Sequence, residues 1–89
     1  MAIRADDLQA IEALLARAEA GSAVMAELRR NFPHLKWSSC DASDVLEDPY
    51  RSFPAYDLHL MDASGHCPVV VGEPSAATGA IIAARSAAP

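Results

Sequence analysis

Two thiols and three imidazoles are the side chains best suited to hold a metal or carry a reaction: Cys40, Cys67, His34, His59 and His66. Their spacing matches no zinc pattern. There is no Cys-x-x-Cys or His-x-x-x-His pair, and 26 residues lie between the cysteines. What remains is a metal or redox-cofactor set of Cys40 with His59, His66 or Cys67, brought together only by the fold. Cys40 opens Cys40-Asp41-Ala42-Ser43-Asp44 at a strand end, a setting in which thiols ligate or react. Asp41 and Asp44 oppose its thiolate, and no Lys or Arg follows within ten residues. Ser38, Ser39, Ser43 and Ser64 have no nucleophile elbow around them. The carboxylates have no apolar pocket to separate their pKa values. Asp41–Asp44 lacks the glycine and distant glutamate of a calcium loop, and Gly65, Gly72 and Gly79 are spaced by turns rather than by a phosphate loop. These residues argue against an enzyme.

Charge offers a second kind of site. Residues 1–40 carry five acids and five bases, whereas 41–73 carry Asp41, Asp44, Glu47, Asp48, Asp57, Asp62 and Glu73 against Arg51 alone, a net of −6. Tyr50, Phe53 and Tyr56 interleave with Pro49 and Pro54 along the same stretch, where aromatics either lid a core or anchor a partner. Asp41, Asp44, Glu47, Asp48, Tyr50 and Phe53 are therefore the candidate contacts for a protein partner with a basic surface.

The elements that must position these residues follow from periodicity. Asp6 with Gln9 has the form of a capping box, Leu8, Ile11, Leu15 and Ala18 make a helical stripe widened by Leu14, and Gly21 suits the helix end. Ser22 caps a second helix to about Asn31, with Val24, Met25 and Leu28 on its apolar side and Pro33 as its stop. Leu35, Trp37 and Ser39 then alternate as a strand that Cys40 ends, and residues 41–55 read as loop with one helical turn over 43–47. Tyr56, Leu58 and Leu60 alternate against Asp57, His59 and Met61 in a clearer strand. Residues 78–85 read either as a returning antiparallel edge strand around Ile81 and Ile82, the preferred reading, or as an Ala-rich helix. Asp-Ala-Ser occurs at 41–43 and 62–64 in unlike flanks and does not amount to a repeat.

With Asp62–Gly65 as a hairpin turn, Met61 faces His66, Leu60 faces Cys67 and Leu58 faces Val69. Cys67 then joins the apolar face, and His59 and His66 become diagonal neighbours on the outer one. Cys40 points away from Cys67, so two free thiols are expected. The expected fold is α+β: two N-terminal helices packed on a three- or four-stranded antiparallel sheet, one domain over 1–85 with a frayed tail at 86–89. The expected core is Leu8, Ile11, Leu15, Val24, Leu28, Trp37, Leu58, Leu60, Val69, Val71 and Ile82. The Ile81–Ile82 segment, as an apolar edge, offers pairing across a two-fold axis to a homodimer.

Residues 37–44 (WSSCDASD), 57–62 (DLHLMD), His66-Cys67-Pro68 and Ala77-Thr78-Gly79 together resemble a family of small uncharacterised proteobacterial proteins associated with nitrogen-fixation gene neighbourhoods. The resemblance covers about residues 37–84 and leaves the helical start unanchored. It implies an accessory to nitrogenase, its assembly or its electron supply, and it implies no catalytic residue.

Composition sets the bounds. At 89 residues there is room for one domain, and 52% apolar with 21% charged residues argues against disorder. A net charge of −5 argues against nucleic-acid binding, and two cysteines are too few for a disulfide scaffold. Asp6 and Asp7 interrupt any secretory segment, and the longest uncharged stretch, 74–84, is far short of a membrane span. A cytoplasmic, non-enzymatic accessory protein without a cofactor is the leading expectation, and a small metal or redox-cofactor carrier is the alternative.

Overall fold

The apolar stripe at the start of the chain forms helix α1, Ala5–Arg17, which buries Leu8, Ile11, Leu14 and Leu15. The structure is a computed structural model describing residues 3–19, 23–65 and 67–85. Helix α1 begins one residue before Asp6, so the Asp6–Gln9 capping box does not form. Arg4 is the N-cap without a side-chain bond, and its carbonyl accepts the Leu8 N–H at 2.9 Å. The reason lies upstream. Ile3 is buried and donates its N–H to the Pro74 carbonyl at 3.0 Å, which fixes where the chain enters the helix. Asp6 and Asp7 instead offset the positive end of the helix dipole. The break expected at Gly21 and Ser22, and the tail 86–89, lie outside the described residues.

Helix α2, Val24–Asn31, buries Val24 and Leu28, carries Arg29 and Arg30 in its last turn and ends at Phe32, before Pro33. Phe32 is buried in the core, and its carbonyl accepts the Trp37 indole N–H at 3.0 Å. This contact turns the chain into the sheet.

Five strands follow: β1 Lys36–Asp41, β2 Arg51–Ser52, β3 Tyr56–Asp62, β4 Val69–Val71 and β5 Gly79–Ala84. Their order is β1-β5-β3, with β2 and β4 both on the outer flank of β3. β3 is antiparallel to β2, β4 and β5, and β1 is parallel to β5. The sheet is therefore mixed and five-stranded, not an antiparallel sheet of three or four. The last segment is a strand, as preferred, but an interior one. Ala80 and Ala83 are fully buried, and small side chains let β5 fit between neighbours on both sides. At Gly79 a Cβ would sit 2.0 Å from the Lys36 carbonyl oxygen. With both sides of β5 hydrogen-bonded, Ile81–Ile82 offers no free edge for a homodimer.

Leu58 pairs with Ile82 and Leu60 with Ala80, and all four enter the core under the helices. Of the expected core, Leu8, Ile11, Leu15, Val24, Leu28, Leu58, Leu60 and Ile82 are buried, and Trp37 and Val71 pack partly against them. Val69 is 55% exposed, because the β3–β4 register lies four residues beyond the expected one. Leu60 faces Val71, Met61 faces Val70 and Asp62 faces Val69. The turn spans 63–68 instead of 62–65. It is held open by Ala63 N–H on Thr78 Oγ1 at 2.8 Å, and Pro68 has no N–H with which to pair earlier. Cys67 is consequently in the turn and exposed, not in the core.

The two Asp-Ala-Ser tripeptides, though unlike in their flanks, build the same turn. Asp41 Oδ1 accepts the N–H and hydroxyl of Ser43 at 3.0 and 2.8 Å, and Asp62 Oδ1 accepts those of Ser64 at 2.9 and 2.6 Å. The Ser43 N–H, then its hydroxyl, lowers the Asp41 pKa; the Ser64 hydroxyl, then its N–H, lowers that of Asp62. A carboxyl depressed in the folded state stabilises above its unfolded pKa, about 3.9, and loses that contribution as pH falls through the folded value. An Asp41→Ala, Asp62→Ala variant should therefore lose melting temperature at pH 7 and fall less steeply than the parent below about pH 4. Parallel melting curves across that range would show that the turns contribute nothing.

Candidate interaction site

Strands β1, β2, β4 and β5 all run the same way, so two connections are crossovers between parallel strands. The β4–β5 connection, through a 3₁₀ turn at Pro74–Ala76, lies on the helix side, with Ala77 in the core. The β1–β2 connection travels across the sheet in the opposite sense. The right-handed rule for such crossovers favours the opposite face for residues 42–50. Ala83, His59 and Met61 alternate away from the helical core and are 0%, 2% and 3% exposed.

The segment 41–50 is thus a strap with an inner and an outer side. Asp41 ends β1, a 3₁₀ turn spans Ala42–Asp44, and Val45 and Pro49 are half-buried. Asp44, Glu47 and Asp48 are exposed, and Leu46 is 94% exposed. Tyr50 N–H then donates to the Leu58 carbonyl at 2.8 Å, which begins β2 and leaves the Tyr50 side chain 37% exposed. Phe53 is half-buried against the core, and its carbonyl accepts from Arg85 Nη1 at 2.9 Å. Of the candidate partner contacts, Asp41, Asp44, Glu47, Asp48 and Tyr50 share this exposed strap, and Phe53 lids the core. The other three acids of 41–73 lie elsewhere: Asp57 is half-buried 3.8 Å from Arg85 Nε, Asp62 closes the far end of β3, and Glu73 precedes the 3₁₀ turn at Pro74. Leu46 was not singled out by periodicity or motif. The signal for it was a large aliphatic residue between Asp44 and Glu47-Asp48, in a stretch with no strand or helix pattern to bury it.

The candidate metal ligands are dispersed. Cys40 sits on β1 opposite Ala83, and His59 sits on β3 opposite Ile81, so strand β5 separates them. Cys67 is in the exposed β3–β4 turn, and His66 lies outside the described residues. His34 is on the helix side, with Nε2 2.7 Å from Asp7 Oδ2. Among the described residues no three His, Cys, Asp or Glu side chains converge as a metal site. Among the described residues His59 Nδ1 and Asp57 Oδ1 find no hydrogen-bond partner; both are buried, two residues apart on the face of β3 away from the helices.

Both cysteines are free. Partial burial, then the charges of Asp44 and Asp41, raise the Cys40 pKa. Iodoacetamide at mildly alkaline pH should alkylate Cys67 first and Cys40 in a distinct slower phase, resolved by peptide mass mapping. Equal rates at the two sites would contradict the difference in burial between Cys40 and Cys67.

These features define a small two-layer α+β domain whose exposed chemistry is an acidic, leucine-tipped strap. No described helix is long and apolar enough to cross a membrane. A family of unknown function (DUF6129) matches over residues 10–85, and the chain belongs to it. The match contains the 37–84 stretch and takes in most of the helical layer as well. Neither a curated protein nor a solved structure matches the chain.

Proposed function

We propose that this chain is a cytoplasmic, non-enzymatic accessory protein that docks a basic partner through the outer side of the 41–50 strap. The observation that carries this reading is Leu46, 94% exposed between Asp44 and Glu47-Asp48. An isolated aliphatic tip flanked by carboxylates suits an apolar pocket rimmed by Lys or Arg: the tip supplies buried area, and the acids steer approach. The motif resemblance favours a partner in nitrogen fixation. The test is capture on immobilised protein at low salt, with the parent beside Leu46→Ala and Glu47→Gln/Asp48→Asn variants. A specific basic partner should be held by the parent and lost on Leu46→Ala. Its on-rate should fall in the charge variants, and in the parent as added salt shortens the screening length below about 10 Å. Identical capture by all three proteins would refute the strap as the docking surface.

A second reading, a metal or redox-cofactor carrier, rests on one observation, the buried His59 Nδ1 with no hydrogen-bond partner among the described residues, and β5 separates that ring from Cys40. Anaerobic purification followed by metal analysis and an absorption spectrum, repeated on Cys40→Ser, tests it. A colourless, metal-free parent refutes it.

A further inference from the structure

The two edges of the sheet differ. On one flank, among the described residues, β3 meets β2 and β4, two and three residues long, so no long continuous ladder is left open there. On the other flank β1 runs six residues, and among the described residues no strand lies beyond it. Lys36 pairs with Gly79 and donates its N–H to the Thr78 carbonyl at 3.2 Å. In a parallel ladder that geometry directs the N–H and C=O groups of Lys36, Ser38 and Cys40 toward β5. The N–H and C=O groups of Trp37, Ser39 and Asp41 therefore face outward from the sheet. Among the described residues no other backbone bond engages them.

Charge is polarised along this edge. Arg29, Arg30 and Lys36 precede or open β1, with no acid anywhere in 28–40. Asp41, Asp44, Glu47 and Asp48 close or follow it, with no base before Arg51. An antiparallel neighbour of the same sequence reverses that order. Each basic end then meets an acidic end, twice, and like-charge contact is avoided.

We propose that β1 pairs with β1 of a second copy of this chain about a two-fold axis through Ser39, joining the two sheets into one. The register follows from the outward groups. Centred on Ser39, each Ser39 bonds the other, and Trp37 of each copy exchanges both backbone bonds with Asp41 of the second. All outward N–H and C=O groups of Trp37, Ser39 and Asp41 are then used. A centre at Ser38 would leave those of Asp41 unpaired. The Ser39 register also keeps each side chain opposite one on the same face, so both helical layers lie on one side of the joined sheet. Ser38 faces Cys40 of the second copy in a non-hydrogen-bonded pair, with Cα atoms about 4.5 Å apart. Lys36 reaches the turn that begins with Asp41 of the second copy. Leu46, beyond that turn, is not used. The edge is an isologous surface, the kind that closes as a dimer and does not propagate.

Sedimentation equilibrium of the full chain should give a mass rising with concentration to twice 9.4 kDa. Ser39→Pro removes the central outward N–H at a position where edge strands tolerate proline, and should weaken association by at least about tenfold. Lys36→Glu should weaken it, and adding Asp44→Lys should restore it. The register is read separately with Ser38→Cys in a Cys67→Ser background. Mild oxidation should give a covalent dimer on non-reducing gels, and the further change Cys40→Ser should abolish it. A parent that stays monomeric at every concentration overturns the proposal. So does a dimer that Ser38→Cys fails to cross-link while its circular dichroism matches the parent.

Discussion

Gly79→Ala is expected to destabilise the domain by at least about 3 kcal/mol, at or beyond the upper end of ordinary overpacking. The methyl group would lie 2.0 Å from the Lys36 carbonyl oxygen, 2.7 Å from its carbon and 2.8 Å from the Lys36 Cβ. Two of those atoms are backbone, so no rotamer change relieves the contact, and the first pair of the β1–β5 ladder has to separate. A chain of 89 residues has a total stability of roughly 4–13 kcal/mol, so the loss is a large share of it. Urea unfolding followed by circular dichroism should show a much lower midpoint. A midpoint within experimental error of the parent would mean that the close approach of β1 to β5 is wrong.

Leu58→Ala and Leu60→Ala are each expected to lose about 2–5 kcal/mol. Both side chains are fully buried between the helices and β3, where the rigid backbone of a central strand limits collapse around the cavity. Cys40→Ser, on the opposite face and only half-buried, should change stability by less than about 1 kcal/mol. The contrast tests which face of the sheet carries the core. Leu60→Ala as stable as the parent would invert that assignment.

Both helices and the alternation in β3 could be read directly from the chain, because periods of 3.6 and 2 report burial on one face. Partnership between strands could not. Residues 79–84 signal an extended segment through Ile81 and Ile82, but the alanines that fit β5 between two neighbours equally suit a helix or an edge. The parallel partner β1 has no local signature. The β3–β4 register was hidden by turn chemistry: Asp62 bonding Ser64 looks like a tight turn, while the Ala63–Thr78 bond and Pro68 make it a longer one. The two-residue β2 is too short for any periodicity. At the candidate site, the charge of 41–48 was plain from composition. Which apolar residue stays outside was not, since exposure of Leu46 depends on the strap's crossing a sheet that residues far along the chain complete.

That topology also bears on the order of assembly. β2, β3 and β4 are joined by short connections and can meet early, because closing a short loop sacrifices little chain freedom. The β1–β5 ladder joins Lys36 to Gly79, partners separated by nearly half the chain, and must wait for the rest. Interactions made late raise the unfolding rate when removed and leave the folding rate nearly unchanged. In stopped-flow kinetics, tightness at Gly79 should therefore appear in how long the native sheet survives rather than in how quickly it forms.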